Sequence, residues 1–390
     1  MPIHYLQLQP QIKEYGRLGL LARRTREQQL SLALETLHKC SADPSNLQNR
    51  LRSLLAAGSR NLRFALPSRE PLAAAFTLST DAASLTLLAA DGSQIEPNPH
   101  AAILFALVNI GIFTFSPASG SAPQEIIQTT LLDFNEVNNA DHGLNADLLS
   151  LKRDLMERQA LVKEAAHTRG LVMTLTDGPL ELYHEPQQDE KMKEPFNLYL
   201  NSLRELASQG VITAGYVDKP RADLVVRMLE LALLKDNAQA GQERPLQGVS
   251  DADLFATLLV SQQRSALFGI HSSSSRFYRD ELELYFFYLN VGRPDQPWIV
   301  RVEVPAWVAG DDEQLGQLQR VLLDQSLLMG SKPYPYALHR AHEIALVTFE
   351  EKRELEARLL REMQSAGLPL NLPSHKSSAK LLARRKRNQP

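Results

Sequence analysis

Two short apolar runs constrain this chain more than anything else in it. Ser84-Leu85-Thr86-Leu87-Leu88-Ala89-Ala90 leads into Asp91-Gly92-Ser93, and Leu171-Val172-Met173-Thr174-Leu175-Thr176 leads into Asp177-Gly178. Runs of this length, rich in aliphatic and β-branched side chains, are the pattern of buried strands. Each closes on a carboxylate, and an acid at the end of a buried strand is costly unless something cationic meets it. The glycine behind it lets the backbone turn sharply and lets a ligand come close. Singly, each Asp-Gly also fits an ordinary turn. If the two strands are neighbours, both carboxylates project from one edge of one sheet, and the pair invites a divalent metal with open positions.

Composition narrows the class. The chain has 390 residues, 44% of them hydrophobic and 22% charged, as in ordinary globular proteins. Its net charge is −3, so any surface for nucleic acid has to be local. A single cysteine, Cys40, excludes an internal disulfide and a cysteine-based zinc site and suits a reducing cytoplasm. The opening residues carry no basic-then-apolar signal pattern. The most apolar stretch, residues 101–115, contains Asn109 and is shorter than the ~20 residues a membrane span needs. Two chemistries fail on the letters. An aspartyl-nucleophile phosphatase wants a second acid two residues after the first, and Ser93 stands there. A P-loop needs Gly-Lys-Ser/Thr, which the chain lacks, so it encodes no motor of that class.

Patterning along the chain predicts helix over residues 6–57, with a basic run of Arg17, Arg23, Arg24 and Arg26 that is a solvated face or a binding arm. A strand meander follows to about residue 134. Helix is expected over 145–169, with Arg153 and Glu157 spaced as a surface i,i+4 salt bridge. Beyond the Asp177 strand come a helix at 195–208, a strand at 211–217 and a helix at 222–234. Residues 237–250 have the composition of a mobile insert. Helix over 251–260, strands at 281–291 and 298–308, and amphipathic helices over 311–330 and 338–367 complete the pattern. Alternation of strand and helix argues for an α/β layer. Three segments are expected: an N-terminal helical segment over residues 1–66, a main α/β domain over 67–370, and a basic, disordered tail over 371–390.

Six motifs in order carry a resemblance. They are Asp91-Gly92-Ser93; Asp177-Gly178-Pro179-Leu180; Ala214-Gly215-Tyr216-Val217 before Lys219-Pro220-Arg221; Arg264-Ser265-Ala266-Leu267-Phe268; Arg301-Val302-Glu303-Val304-Pro305-Ala306-Trp307; and Tyr334-Pro335-Tyr336-Ala337-Leu338 before Ala341-His342. Together the set resembles the NurA family over roughly residues 84–350. The resemblance implies an α/β fold with an RNase H-like mixed-sheet core and flanking N- and C-terminal helices. It implies a manganese-dependent nuclease, with 5′–3′ exonuclease and single-strand endonuclease activity, that is a dimer and pairs with a hexameric HerA-type translocase in DNA end resection. Carried over, the family's acids fall on Asp91, Asp177 and, between them, Glu157, with Glu136 as the competing position. Its tyrosine and histidine fall on Tyr334 and His342. Pro179 stands where the family often has serine and removes a backbone donor.

The chemistry suits the set. Asp91, Glu157 and Asp177 are hard oxygen ligands for magnesium or manganese, and an imidazole tolerates manganese better. His342 is therefore a ligand or the base that positions water, or else a solvated helix histidine; His339 is a bystander. Tyr334 equally fits a core aromatic. Lys219, Arg221, Arg264 and Arg301 are candidates for DNA phosphates, with structural ion pairing as the alternative. The rival functions are a catalytically idle DNA-binding scaffold and an RNase H-like enzyme acting on RNA.

Overall fold

The computed structural model describes the chain except residues 1–3, 57–61, 79–80, 82, 99–102, 118–119, 121, 134–137, 140–142, 183–189, 235, 237–239 and 368–390. The expected tail and Glu136 lie outside the described residues. In chain order the main elements are α1 (Tyr5–Ala42), α2 (Pro44–Ala56), β1 (Phe64–Pro67), β2 (Leu85–Ile95), β3 (Ala106–Phe115), β4 (Gln124–Leu132), α3 (Ala146–His167), β5 (Leu171–Asp177), α4 (Glu190–Ser208) and β6 (Ile212–Val217). They continue with α5 (Leu224–Leu233), α6 (Asp251–Leu258), β7 (Phe268–His271), β8 (Leu284–Asn290), β9 (Ile299–Pro305), α7 (Asp312–Leu327), α8 (Tyr336–Ala345) and α9 (Phe349–Ser365). These fall into two compact units that interleave along the chain: residues 1–82, 178–181 and 214–335 form one, and residues 83–177, 182–213 and 336–390 the other.

The unit that holds both aspartates is built on a mixed sheet in the order β5-β2-β3-β4. β2, β3 and β4 form the expected antiparallel meander. After α3 the chain returns as β5, parallel to β2, with Leu85 opposite Leu171 and Ala90 opposite Thr176. An antiparallel meander, a crossover helix and a strand parallel to the first make an RNase H-like α/β core. Strand alternation assigns the faces. Gly92 faces α3, whereas Asp91 and Gly111 face α8. A Cβ on Gly111 would stand 2.5 Å from the Ala341 carbonyl oxygen and 2.6 Å from the Ala345 nitrogen, so only glycine lets α8 lie this close to the sheet. Ser93 Oγ and Asn109 Nδ2 both donate to the Ala345 carbonyl and fix the end of that helix.

The other unit has an antiparallel sheet in the order β1-β7-β8-β9-β6. Its helices include α1, α2, α5, α6 and α7. Leu37 of α1 and Leu47, Leu51 and Leu54 of α2 are buried, while the first half of α1 is exposed.

Three local expectations change. The N-terminal helical stretch is two helices, because the chain leaves α1 at Asp43 and Pro44 opens α2, where a missing amide hydrogen costs nothing. The 237–250 connection is pinned where it is described: Ala240, Leu246 and Val249 are buried, and Arg227 donates to the Ala240 and Glu243 carbonyls. The strand that carries Asp91 does not stop there, for β2 runs on to Ile95 in register with Leu107 of β3. Asp-Gly ends a strand only at Asp177, where Gly178 turns the chain at φ +92°.

Candidate active site

Strand register brings the two aspartates together. Ala90 and Thr176 are opposite each other in parallel strands, so Asp91 and Asp177 are the next residues along β2 and β5 and share a face. Asp177 is exposed. Asp91 is mostly covered, at 16% side-chain exposure, and lies 2.6 Å from Nδ1 of His342, whose ring is 55% exposed. A carboxylate only accepts, so Nδ1–H donates and Nε2 is left as the basic nitrogen. His342 stands on α8, and the close seating of that helix over Gly111 sets the distance. His339, on the same helix, lies 3.6 Å from Glu343 instead.

The third acid comes from α3, which packs on the opposite face. Glu157 reaches the sheet at Gly92: a Cβ there would stand 2.7 Å from Glu157 Oε1 and 2.6 Å from Arg153 Cγ. Here the glycine serves as a gap beside Asp91 and not as a turn. Burial, followed by the negative charges of Asp154 and Asp91, holds the Glu157 carboxyl well above the usual carboxylate range. Arg153 offsets part of this. Its Nη2 donates to Asp154 at 2.8 Å, and its Nε lies 3.5 Å from Glu157 Oε1. The neighbouring Arg158 is buried, donates to Thr176 Oγ1 and stacks 5.7 Å from the centre of the Tyr199 ring. It thereby ties α3 to the residue immediately before Asp177.

Asp91, Glu157, Asp177 and His342 thus all belong to one unit, the two aspartates neighbours where β5 ends beside the middle of β2. Tyr334 belongs to the other unit, where its ring meets Tyr216 edge-on at 5.5 Å. The four basic candidates divide. Lys219 and Arg221 are exposed, with the Lys219 ammonium 4.6 Å from the centre of the Trp298 ring. Arg264 is buried at 7% exposure and forked onto both oxygens of Glu70, and Arg301 is buried at 3% and 2.8 Å from Glu303. Both are interior ion pairs, so the phosphate reading of Arg264 and Arg301 gives way to the structural one. Sequence reasoning undervalued Arg153. Its i,i+4 spacing from Glu157 is visible in the sequence, but a glycine read as a turn or a ligand approach does not reveal that both side chains pack at Gly92.

The donor chemistry fits a hard divalent ion. Asp91, Glu157 and Asp177 offer carboxylate oxygens, and Glu157, raised first by burial, carries a smaller repulsion from Asp154 and Asp91 that a cation would relieve. Among the described residues, no three acid, histidine or cysteine side chains are assembled closely enough to form a ready cage. As placed, Asp91 is met by the His342 ring and the Gly92 amide, and the Arg153 guanidinium stands 3.5 Å from Glu157.

Comparison with known proteins places the chain in a family. The NurA domain matches residues 85–347. No curated protein matches the chain in sequence. Among solved structures, the NurA nuclease from Sulfolobus solfataricus superposes with a TM-score of 0.50 at 13% identity, over 82% of this chain and 95% of that one. The catalytic domain of human Endonuclease V gives a TM-score of 0.31 at 11% identity, over 83% of this chain and 99% of that one. With its domain matched across the α/β core, both aspartates and the helix that carries His342, the chain belongs to the NurA family of nucleases.

Proposed function

We propose that the chain hydrolyses DNA phosphodiesters with a divalent cation, manganese before magnesium, held by Asp91, Glu157 and Asp177. The observation that carries this is the strand register that sets Asp91 beside Asp177, with Glu157 admitted at Gly92. When bound, such an ion supplies Lewis acidity toward the phosphate and acidifies water. The chain's own contribution is proton handling and orientation. His342, oriented by Asp91 through Nδ1, presents Nε2 as the base for the attacking water. The new O–P bond forms as the P–O bond to the leaving sugar oxygen breaks. The water's proton goes to Nε2, and the leaving oxygen takes one from solvent. This placement favours His342 as base over ligand.

By the family's pattern, the activity is 5′–3′ exonuclease and single-strand endonuclease, exercised in the cytoplasm by a homodimer working with a HerA-type hexameric translocase in end resection. Lys219 and Arg221 are the exposed basic groups for the DNA backbone. No described helix is long and apolar enough to cross a membrane. Tyr5, Leu6, Ile12, Tyr15 and Leu18 on the exposed half of α1 suit a protein partner, and the translocase is the proposed one. Strand-labelled single-stranded and duplex DNA digested with manganese, magnesium or chelator tests the chemistry. Cleavage with manganese, less with magnesium and none with chelator is expected, and undiminished cleavage in chelator would overturn it. Trimming residues 1–27, which leaves the buried half of α1 in place, is expected to uncouple ATP-driven duplex resection and to spare single-strand cleavage.

A further inference from the structure

Arg153 is placed unlike a surface salt-bridge residue. Its Cγ and Cδ lie against the backbone at Gly92, 2.6 Å and 3.0 Å from where a Cβ would be. Its guanidinium donates to Asp154 at 2.8 Å but stands 3.5 Å from Glu157, beyond a good hydrogen bond. Glu157, 8% exposed and crowded by the charges of Asp154 and Asp91, therefore has a cation nearby without a bonded one. The Arg153 side chain keeps 31% exposure, so it is both part of the acid cluster and reachable from solvent.

We propose that Arg153 is a catalytic residue: a built-in counter-cation of the acid cluster, passed from Glu157 to the non-bridging oxygens of the scissile phosphate. The inference rests on the reading of this site as a metal-dependent nuclease. Its physical basis is charge economy. A guanidinium stays protonated and presents a planar fork that fits two phosphate oxygens at once. A divalent ion and Arg153 compete for the same negative potential at Glu157, so a bound ion loosens the guanidinium just where an anionic substrate arrives. In a water-excluded site, one such donor aimed at developing charge is worth about 10²–10³ in rate. An exposed i,i+4 pair with no such role is worth only a few tenths of a kcal/mol.

The test compares parent, Arg153→Met and Arg153→Lys, all full length. Methionine keeps an apolar stem over Gly92, and thermal unfolding checks that the fold survives. Binding of manganese alone, read from the electron paramagnetic resonance of the free ion, should tighten by about tenfold in Arg153→Met as the competing charge goes. Its kcat on single-stranded DNA at saturating manganese should fall by about 10²-fold. Arg153→Lys should restore parent-like manganese affinity and part of the rate. Parent-like manganese affinity or a parent-like kcat in Arg153→Met overturns the proposal. If the parent neither binds manganese nor cleaves DNA, the nuclease reading of the site falls and takes this proposal with it, a result distinct from the first two.

Discussion

The two units handle buried charge in opposite ways. In the antiparallel-sheet unit, Glu303 is fully buried beside Arg301 and accepts from the backbone amides of Leu180 and Glu181. Glu181 in turn is met by Arg63, Ser272 and Ser274. Glu230 is held by Arg227, Arg244 and the Leu246 amide. Each of these carboxylates has several donors, the condition under which burying a charge is tolerable. Around Asp91 the same residue types are left short of donors. Glu157 faces the charges of Asp154 and Asp91, which the guanidiniums of Arg153 and Arg158 offset only in part, and Asp91 has one imidazole and the Gly92 amide. A network whose carboxylates are met by donors makes structure. A partly compensated one keeps its affinity for a cation and an anionic substrate.

The largest expected effect comes from removing charge on the uncompensated side. Asp91→Asn and Asp177→Asn should each lower DNA cleavage by more than ~10³-fold, because groups that act on one reacting centre fail as a unit. Stability should move by less than about 1 kcal/mol, since the half-exposed His342 pair contributes little and the change relieves repulsion on Glu157. Cleavage near the parent rate would erase the distinction between the units. The same kind of change on the satisfied side should reverse the balance. Glu303→Ala strips a buried arginine of its partner and leaves two buried amides unmet, for a loss of about 3–5 kcal/mol in urea unfolding. A loss below ~1 kcal/mol would mean that this network is not what holds residues 180–181.

Much of this was legible beforehand, for identifiable reasons. The continuous apolar runs that lead into Asp91 and Asp177 mark both strands, because burial on both faces leaves an unbroken apolar signature. Placing them side by side required only the rule that a crossover helix joins parallel neighbours. What did not show was anything decided by long-range approach. Gly92 looks like a turn residue in sequence, yet the strand continues and the missing side chain serves α3 instead. Arg264 and Arg301 sit in motifs, but nothing local distinguishes a cation for phosphate from one for Glu70 or Glu303. The pinned 240–250 segment failed for the same reason, since its partners Arg227 and Glu230 are local to another helix.

A pH experiment sharpens the comparison on the satisfied side. Asp251 accepts from the Val225 and Val226 amides and the Tyr288 hydroxyl, yet burial outweighs these bonds and pushes its carboxyl up to about 6. An unfolded chain loses that proton near pH 3.8, so between that pH and about 6 the folded state binds more protons. Stability from this group therefore falls as pH rises across that window and is flat above it. The stability difference between the parent and Asp251→Asn should shrink by about 2.4 kcal/mol from pH 4 to pH 7. A pH-independent difference would show that Asp251 stays ionised when folded.

The smallest effect probes the geometry that separates the two regions most directly. Gly92→Ala puts a methyl group where Glu157 Oε1 and the Arg153 stem now lie, 2.7 Å and 2.6 Å away. Glu157 can swing its carboxylate aside at little cost, and the Arg153 stem, met at Cγ and Cδ, has to shift with it. With that oxygen pushed out of the gap at Gly92, manganese affinity should weaken by about tenfold, roughly 1.4 kcal/mol, while the unfolding midpoint moves only slightly. Gly111→Ala is the matched control on the other face. Its methyl meets backbone of α8, 2.5 Å from a carbonyl oxygen, and backbone cannot swing away. That variant should lose about 1–3 kcal/mol of stability, as overpacked sites do. If Gly92→Ala behaves like Gly111→Ala, losing stability with manganese affinity intact, then Gly92 is a packing residue and Glu157 does not share a cation with Asp91.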